Sequence, residues 1–472
     1  MKLREVLGEL LATGPGRAGA ALLLALVALS VYVVVRFPFD FGETRWSNPA
    51  RWADNPKAAP PSWSSVFSGK HRFRHSRATL RQPSEVDGAR RLYRMAFSLD
   101  GDEPPTFASV SLSQVAYRSR PPVFTVSARR PDGAQVVLYR LVAPGPRPGE
   151  EPPFLRYRDE SLRIALTTES TVADALRDFF RDRYGADLSR ESLSNSSRAL
   201  VSVPDPAARD GLRLLRGRYE LQVQAAVADE EDSIGSVRFV VGGSLFGLMG
   251  TDSLGRDLAS GLAFGLPIAL LIGVATSLVT TVVGTSLGVM SGYLGGAADM
   301  AIQRLADIVS NVPLLPLLIF LVFIFGPHLF LIMLFLVAFS WPGLTILIRS
   351  MVLQLRSGQL IEAAVAIGAS KWRVMARHIF PQTAPFVFAQ LIFFAPAAIL
   401  AEAGLSILGL GDPSIPTWGQ ILEQGFRTGA VYVGYWWWVV PPGVLIVITA
   451  VTFMLLSLGM EPVVNPRLRR SR

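Results

Sequence analysis

The sequence lacks cysteine altogether and contains only four histidines. Without thiols the chain forms no disulfide, no cysteine-ligated metal site and no cysteine nucleophile. Charged residues are also scarce, at 18% of 472 residues. A phosphate-binding loop is missing, because the one Gly-Lys pair, Gly69-Lys70, is followed by His71 and has no correctly spaced glycine upstream. We therefore predict that the chain is not an enzyme and that it hydrolyses no ATP by itself.

Apolar residues are abundant, at 50% of the chain. Six apolar runs approach the roughly 20 residues that a helix needs to cross about 30 Å of hydrocarbon. One such run could belong to a buried helix of a soluble protein, but six together indicate a polytopic membrane protein. The predicted spans are residues 18–37, 265–290, 306–326, 328–348, 386–408 and 438–460.

Basic residues are distributed unevenly among the connections between these runs. Cytoplasmic loops of membrane proteins collect Lys and Arg, and the basic segments here are 1–17, 349–385 and 469–472. We therefore expect a multi-pass protein of the cell membrane whose N- and C-termini are both cytoplasmic. Run 18–37 is too long for a cleaved signal peptide and is predicted to be a retained signal anchor.

A long polar region separates the first two spans. Residues 38–65 are rich in Pro and Trp and are predicted to be an irregular linker. Residues 66–243 are predicted to be an extracytoplasmic, mostly β, sandwich-like domain with one helix at 171–184. Pro131-Asp132-Gly133 predicts a hairpin turn. The strands are expected at 91–99, 108–117, 123–129, 135–142, 162–168, 198–203, 218–226 and 236–241.

This polar domain shows no pattern typical of catalysis. Its acidic residues cluster in turn-like stretches, where charges are usually solvated. His71 and His75 have the spacing of one helix face, but neighbouring arginines would repel a cation, so surface positions are favoured over a metal site. A basic face with interleaved aromatic residues is not found either, which argues against nucleic-acid binding. We predict no catalytic, cofactor or metal site.

The basic segment 349–385 carries a spaced motif. Glu362-Ala363-Ala364 is followed by Gly368 after three more residues, and Ile379-Phe380-Pro381 lies at the far end of the segment. This pattern resembles the EAA loop of ABC-importer permeases, which reads E-A-A-x-x-x-G and then I-x-L-P, with Phe380 in place of the commoner Leu. The resemblance implies an ATPase-docking loop. Its candidate residues are Glu362, Ala363, Ala364, Gly368, Ala369, Ile379 and Pro381.

A second motif precedes the second span. Residues 250–257 read GTDSLGRD, closely similar to the GTDxxGRD signature of the dipeptide and oligopeptide permease family, specifically its C-type subunit. We expect Thr251 or Asp252 to cap the following helix and Arg256 with Asp257 to form a hydrated charge pair outside the membrane. The extracytoplasmic signature comprises Gly250, Thr251, Asp252, Gly255, Arg256 and Asp257. Further similarity lies at 292–296, 401–406, 408–411 and 416–419.

The resemblance covers about 245–468 and the first span, but not the polar domain. It implies a type I ABC-importer permease core of six transmembrane helices, with residues 244–468 containing the second to sixth. It also implies a B-type permease partner, two cytoplasmic subunits that bind ATP and Mg, an extracytoplasmic substrate-binding protein and membrane lipid. Di- and oligopeptides are the expected substrates. Oligosaccharides or another small solute are the alternative, and a membrane-anchored ligand sensor is a weaker one.

A few polar residues fall inside the apolar runs. Glu402 is costly there unless it is paired or hydrated, and we predict a structural or gating hydrogen bond rather than substrate contact. Asp299, Arg304 and Asp307 have helical spacing and are predicted to pair with one another. Prolines at 313, 316 and 396 are predicted to kink their spans.

Overall fold

A computed structural model describes residues 3–68, 71–193, 195–208 and 211–464. The chain forms two compact units. We call Met1–Asn48 with Leu258–Arg472 the helical unit, and Pro49–Asp257 the β unit. The β unit therefore begins earlier and ends later than the predicted domain 66–243. The predicted cytoplasmic tail 469–472 lies outside the described residues.

The helical unit begins with α1 (Leu3–Ala12) and α2 (Gly14–Arg36). The Thr13 hydroxyl caps α2 by accepting a hydrogen bond from the Gly16 backbone N–H at 3.0 Å. Gly19 packs so closely on a later helix that an added Cβ would lie 2.8 Å from the Leu456 nitrogen. A π-helical turn at Gly42–Trp46 then places Trp46 in a buried position.

The β unit contains two five-stranded antiparallel sheets. One has the order β1-β12-β4-β7, with β8 also paired to β4, and the other has the order β2-β3-β11-β5-β6; β9 and β10 form a separate pair. The strands are β1 Ser76–Leu80, β2 Glu85–Asp87, β3 Arg90–Leu99, β4 Ala108–Tyr117, β5 Val123–Arg129, β6 Gln135–Val142, β7 Phe154–Arg156, β8 Leu162–Ala165, β9 Ser202–Pro204, β10 Leu212–Leu214, β11 Gly217–Ala226 and β12 Ser233–Val241.

Alternating apolar side chains from both sheets meet in one core. Strand β11 directs Tyr219, Leu221, Val223 and Ala225 inward, and the core they join also contains Phe239 of β12. The short helices of this unit are α3 Pro49–Trp52, α4 Ser65–Ser68, α6 Arg190–Leu193 and α7 Ser196–Leu200, with a 3₁₀ turn at Ser62–Ser64. The β-rich domain predicted from the sequence is thus present.

Most predicted strands agree with the observed ones to within a few residues. The hairpin at Pro131-Asp132-Gly133 joins β5 to β6, with Gly133 at φ +79°. The predicted helix is α5 (Ser170–Tyr184), which buries Val172, Leu176 and Phe180. The predicted strand 198–203 is wrong over its first half, because the Asn195 side chain caps α7 and turns this stretch into helix.

The helical unit resumes after the β unit. Its remaining helices are α8 Leu258–Leu294, α9 Gly296–Asn311, α10 Leu314–Phe325, α11 Leu329–Arg356, α12 Gln359–Ala366, α13 Lys371–Val374, α14 Phe380–Ile407, α15 Trp418–Arg427, α16 Ala430–Val433 and α17 Trp436–Val464, with a π-helical turn at Met375–Ile379. Small residues let α8 approach α11 closely. An added Cβ on Gly284, Gly288 or Gly292 would lie 2.7–3.0 Å from an α11 side chain.

Five helices of the described chain are long and apolar enough to cross a membrane. They are Gly14–Arg36, Leu258–Leu294, Leu329–Arg356, Lys371–Ile407 and Trp436–Glu461. The chain is therefore a multi-pass membrane protein. Helices α9 and α10 meet at a bend of 77°. Counted together as one broken span, they would add a sixth. Pro313 stands at this break, where it caps α10.

The two histidines considered from the sequence do not share a helix face. Residues 71–75 are not helical, and His71 is exposed whereas His75 is half-buried near the rings of Phe107 and Phe246. Burial and the nearby Arg77 lower the pKa of His75 to about 4, against an opposing effect of Asp54. The Nδ1 atom of His75 has no hydrogen-bond partner among the described residues.

His75 should make the β unit sensitive to acid. Unfolded, its imidazole takes up a proton near its ordinary pKa of 6.5, but folded only near 4. The free energy of unfolding is therefore fully retained above pH 6.5 and falls as the pH drops toward 4. Calorimetry of the purified chain between pH 7.5 and 5 should show this fall weakened in His75→Phe. The exposed-site variant His71→Phe should keep it, and equal pH dependence in both variants would contradict the assignment.

Candidate functional site

The segment with the EAA-like motif forms a short helix between two long ones. Helix α11 ends at Arg356, Gly358 caps α12, and α12 ends after Ala366. Gly368 follows with φ +83°. Its N–H donates to the Val365 carbonyl at 2.9 Å, and the Ala369 N–H donates to the Ala364 carbonyl at 3.0 Å. These two bonds form a Schellman motif, which requires a left-handed residue at the position of Gly368.

One face of α12 holds it to the rest of the helical unit. Ile361 and Ala364 are buried in an apolar cluster with Val289 of α8, Ile348 of α11 and Val387 of α14. Helix α12 is only eight residues long, so tertiary packing rather than intrinsic propensity stabilises it. A displacement of α12 would disturb three long helices at once.

The opposite face of α12 is open to solvent. Glu362, Ala363 and Gly368 are exposed, and an added Cβ on Gly368 would meet no atom within 4 Å. Ile367 beside them is 87% exposed. A cleft of about 530 Å³ beside α12 is lined by Glu362, Val365, Lys371 and Arg356 among others. A ridge of small and apolar side chains next to basic ones is typical of a protein-binding surface.

The second half of the motif returns the chain to the bundle. Ser370 caps α13 by accepting a hydrogen bond from the Arg373 N–H at 3.4 Å. The π-helical turn that follows ends at Ile379, which is buried in the same apolar cluster as Ala364. Pro381 lies in the first turn of α14, where proline is favoured. Of the predicted docking residues, Ala364 and Ile379 thus anchor the segment, whereas Glu362, Ala363, Gly368 and Pro381 are exposed.

An ion pair near the same end of the bundle was not anticipated. Asp299 of α9 binds Arg349 of α11 through two hydrogen bonds of 2.6 Å and also accepts one from the Ser291 hydroxyl at 2.5 Å. The predicted pairing of Asp299 with Arg304 and Asp307 is wrong, because the bidentate guanidinium of another helix offers better geometry than helical spacing does. The sequence alone could not show this contact between distant positions.

The GTDSLGRD motif forms a closed loop within the β unit. Asp252 accepts hydrogen bonds at 2.9 Å from the N–H groups of Leu254 and Arg256, and it pairs with the Arg256 guanidinium; both side chains are buried. The predicted cap of the following helix is therefore wrong for Asp252, whose carboxylate closes its own turn. The predicted hydrated pair of Arg256 with Asp257 is wrong in its hydration, since the Arg256 side chain is buried and pairs with Asp252 inside the loop.

The loop is also bonded to the segment that enters the β unit. Thr251 exchanges hydrogen bonds with residues 56–59: its hydroxyl donates to the Pro56 carbonyl at 2.7 Å and accepts from the Ala59 N–H at 2.9 Å. The Ala58 N–H donates to the Asp252 carbonyl at 2.7 Å, and Asn55 donates to the Gly255 carbonyl at 2.9 Å. Part of the predicted linker is thus ordered by the signature.

Glu402 belongs to a buried polar cluster of the helical unit. Its Oε1 atom accepts hydrogen bonds from the Ser406 and Thr417 hydroxyls, each at 2.8 Å, and its side chain is 4% exposed. Thr417 also caps α15 by accepting from the Gln420 N–H. Gly419 allows this approach, because an added Cβ would lie 2.6 Å from the Ala403 Cα. The 401–406 and 416–419 motifs thus meet around one carboxylate.

No metal site is evident in the part of the chain that the structure describes, since no three His, Cys, Asp or Glu side chains converge there. Two buried polar residues of α15, Gln420 and Glu423, were not predicted from the sequence. No signal in the sequence marked them, because their burial depends on which helices pack around α15.

Comparison with known proteins agrees with these motifs. Residues 284–470 match the family described as "Binding-protein-dependent transport system inner membrane component". The dipeptide transport system permease protein DppC of Bacillus subtilis is 32% identical over 177 residues, which are 37% of this chain and 55% of that protein. The oligopeptide transport system permease protein OppC of Haemophilus influenzae is 34% identical over 133 residues, covering 28% and 43%. The chain thus spans about half the length of these relatives.

A structure of the MetNI methionine ABC transporter in inward facing conformations aligns with 45% of this chain and 95% of that chain. The sequence identity is 20% and the TM-score is 0.34, too low to establish a shared fold.

Replacing Glu402 by Ala should destabilise the helical unit. The Ser406 and Thr417 hydroxyls would lose their acceptor, at a cost of about 1–3 kcal/mol for a buried unsatisfied group. Glu402→Gln keeps an oxygen in the same position and should cost less than half as much. Thermal unfolding of the purified chain in detergent measures both, with the exposed-site variant Asp307→Asn as control. Equal losses in the Ala and Gln variants would show that the charge matters rather than the hydrogen bonds.

Proposed function

We propose that this chain is a permease subunit of an ATP-driven peptide importer, because residues 284–470 match the family of binding-protein-dependent transport system inner membrane components. It forms half of the pathway for di- and oligopeptides, with α9 and α10 as one broken span among six. A second, B-type permease forms the other half. Two cytoplasmic subunits bind ATP and Mg and perform the hydrolysis, and an extracytoplasmic protein delivers the substrate.

The exposed face of α12 carries this proposal. Glu362 and Ala363 are accessible on a helix that the Schellman turn at Gly368 ends abruptly, so a groove of an ATPase subunit can approach its backbone. The neighbouring basic residues add charge to the rim of the contact. The basic segments support a cytoplasmic location for this end of the bundle and for both termini, because cytoplasmic loops collect Lys and Arg.

The buried face of α12 accounts for force transmission. Ile361 and Ala364 pack against α8, α11 and α14 in one cluster, so a movement of the ATPases shifts α12 and these helices together. The Asp299–Arg349 pair links α9 to α11 near the same end. Closure of the ATPases on ATP would then switch the pathway between inward and outward access as a rigid-body change.

The β unit is assigned to the outer side of the membrane, where it docks or positions the substrate-binding protein. Its location follows from the topology in which the basic segments are cytoplasmic. The relatives are named for dipeptide and oligopeptide transport, and on this basis peptides are the proposed substrates. Oligosaccharides remain the competing solute class for the same mechanism.

Gly368→Val should abolish assembly with the ATPases while membrane insertion is retained. A Cβ at position 368 meets no neighbouring atom, but a left-handed φ costs a β-branched residue about 1–2 kcal/mol or more. The substitution would therefore undo the turn that ends α12. Co-purification of tagged ATPase subunits from solubilised membranes measures assembly. Gly343→Val is the matched control, because an added Cβ there also meets open space and its backbone is helical. ATPase recovery at the wild-type level with Gly368→Val would contradict the docking role.

The function itself is tested by reconstitution. The chain, its B-type partner, both ATPases and the binding protein in liposomes should import a labelled tripeptide only with internal ATP, and an oligosaccharide pool should not compete. Competition by oligosaccharides and not by peptides would keep the mechanism but replace the substrate.

Removing residues 66–243 should weaken binding-protein engagement more than ATPase assembly, because α12 is untouched.

A further inference from the structure

Helix α15 is buried along most of its length, although it is not apolar. Within its first two turns Gln420 is 5% exposed, Glu423 8% and Gln424 8%. The long helices around it consist mainly of apolar residues. Burying ionisable and amide groups is costly unless their hydrogen bonds are satisfied. The arrangement of Gln420 and Glu423 therefore calls for a reason beyond packing.

The contacts of these side chains leave hydrogen-bond acceptors in excess. One Glu423 oxygen receives the Gln420 amide N–H at 3.4 Å, and the other pairs with the Arg427 Nε at 3.2 Å. The Gln420 Oε1 atom is buried and has no hydrogen-bond partner among the described residues. Arg427 holds the carboxylate only loosely, because 74% of its side chain is exposed to solvent.

These groups line a cavity of about 670 Å³, whose other walls include Pro327, Leu408 and Phe426. The cavity lies at the end of the bundle opposite α12. Helix α14 starts beside the EAA-like segment and runs 28 residues to Ile407, or about 42 Å, before the chain reaches α15. If α12 faces the cytoplasm, the cavity faces the side from which substrate arrives.

We propose that this cavity binds the primary ammonium group of the transported solute, namely the N-terminal amine of a peptide. The Glu423 carboxylate is the counter-ion and Gln420 Oε1 is a second acceptor. Arg427 pairs with the carboxylate when no substrate is present, and the ammonium group of the substrate displaces Arg427. The inference rests on the proposed import function and specifies the substrate class for this part of the pathway.

Other ligands fit these groups less well. Calcium takes six to eight oxygen ligands, and the cavity offers one carboxylate and one amide. A neutral sugar would gain little from a buried carboxylate, whereas an ammonium group supplies a counter-charge for Glu423 in place of Arg427 and a donor for the unpartnered Gln420 Oε1 atom. The site thus favours peptides over the oligosaccharides that the family resemblance leaves open.

The test compares import of trialanine and N-acetyl-trialanine by the reconstituted complex. Glu423→Gln should raise the KM for trialanine by roughly 10-fold or more, as expected for loss of a charge-assisted hydrogen bond, and leave kcat nearly unchanged. The KM for the acetylated peptide should not change. Because each variant is compared with wild type for the same peptide, the preference of the binding protein cancels. Asp307→Asn, an exposed acid on α9, is the control and should alter neither KM.

A second variant distinguishes a loss of substrate binding from a folding defect. Arg427→Ala removes a mostly exposed side chain and frees the carboxylate, so it should lower the KM for trialanine and not for the acetylated peptide. Equal effects of Glu423→Gln on both peptides, or an unchanged KM for trialanine with either variant, would overturn the inference alone. If the wild-type complex imports no peptide with ATP, the proposed function fails and the inference fails with it.

Discussion

The burial of Ile361 and Ala364 against the long helices is the contact that holds α12 to the helical unit. Without it α12 would be an eight-residue helix on a loop, too short to persist alone. With it, α12 belongs to a cluster that includes residues of α8, α11 and α14. The same cluster adjoins the glycines of α8 that let α11 approach closely. Local order in α12 and close helix packing therefore support each other.

Two carboxylates of the helical unit have hydrogen-bond partners that are distant in sequence. Asp299 meets Arg349 between two helices, and Glu402 meets Thr417 across a connection. Such pairs fix the register of the helices at both ends of the bundle, because a shift of either helix would leave a buried charge or hydroxyl without its partner. Apolar packing alone would permit more sliding.

Local patterns in the sequence predicted the elements well, because alternation and apolar run length report directly on burial. Strands β4, β5 and β6 have the predicted bounds, and the hairpin turn at Gly133 lies where its dipeptide indicated. The residues predicted to dock an ATPase were chosen by their spacing, but their division into buried and exposed faces was not predicted. That division depends on which helices pack against α12. The partner of Asp299 was missed because spacing along one helix carries no information about a neighbouring helix. Asp252 was expected to cap the following helix, whereas its carboxylate closes its own turn.

The hydrogen bonds between residues 55–62 and 247–255 bring the beginning and the end of the β unit together. A domain whose two ends are adjacent can be inserted into a host chain without forcing the host segments apart. The gain or loss of the intervening strands would then leave the spacing of the flanking helices unchanged. This property accounts for a large β domain between the first two spans, although the family resemblance does not include such a domain. The GTDSLGRD loop joins the two ends of this domain through its hydrogen bonds to residues 55–59.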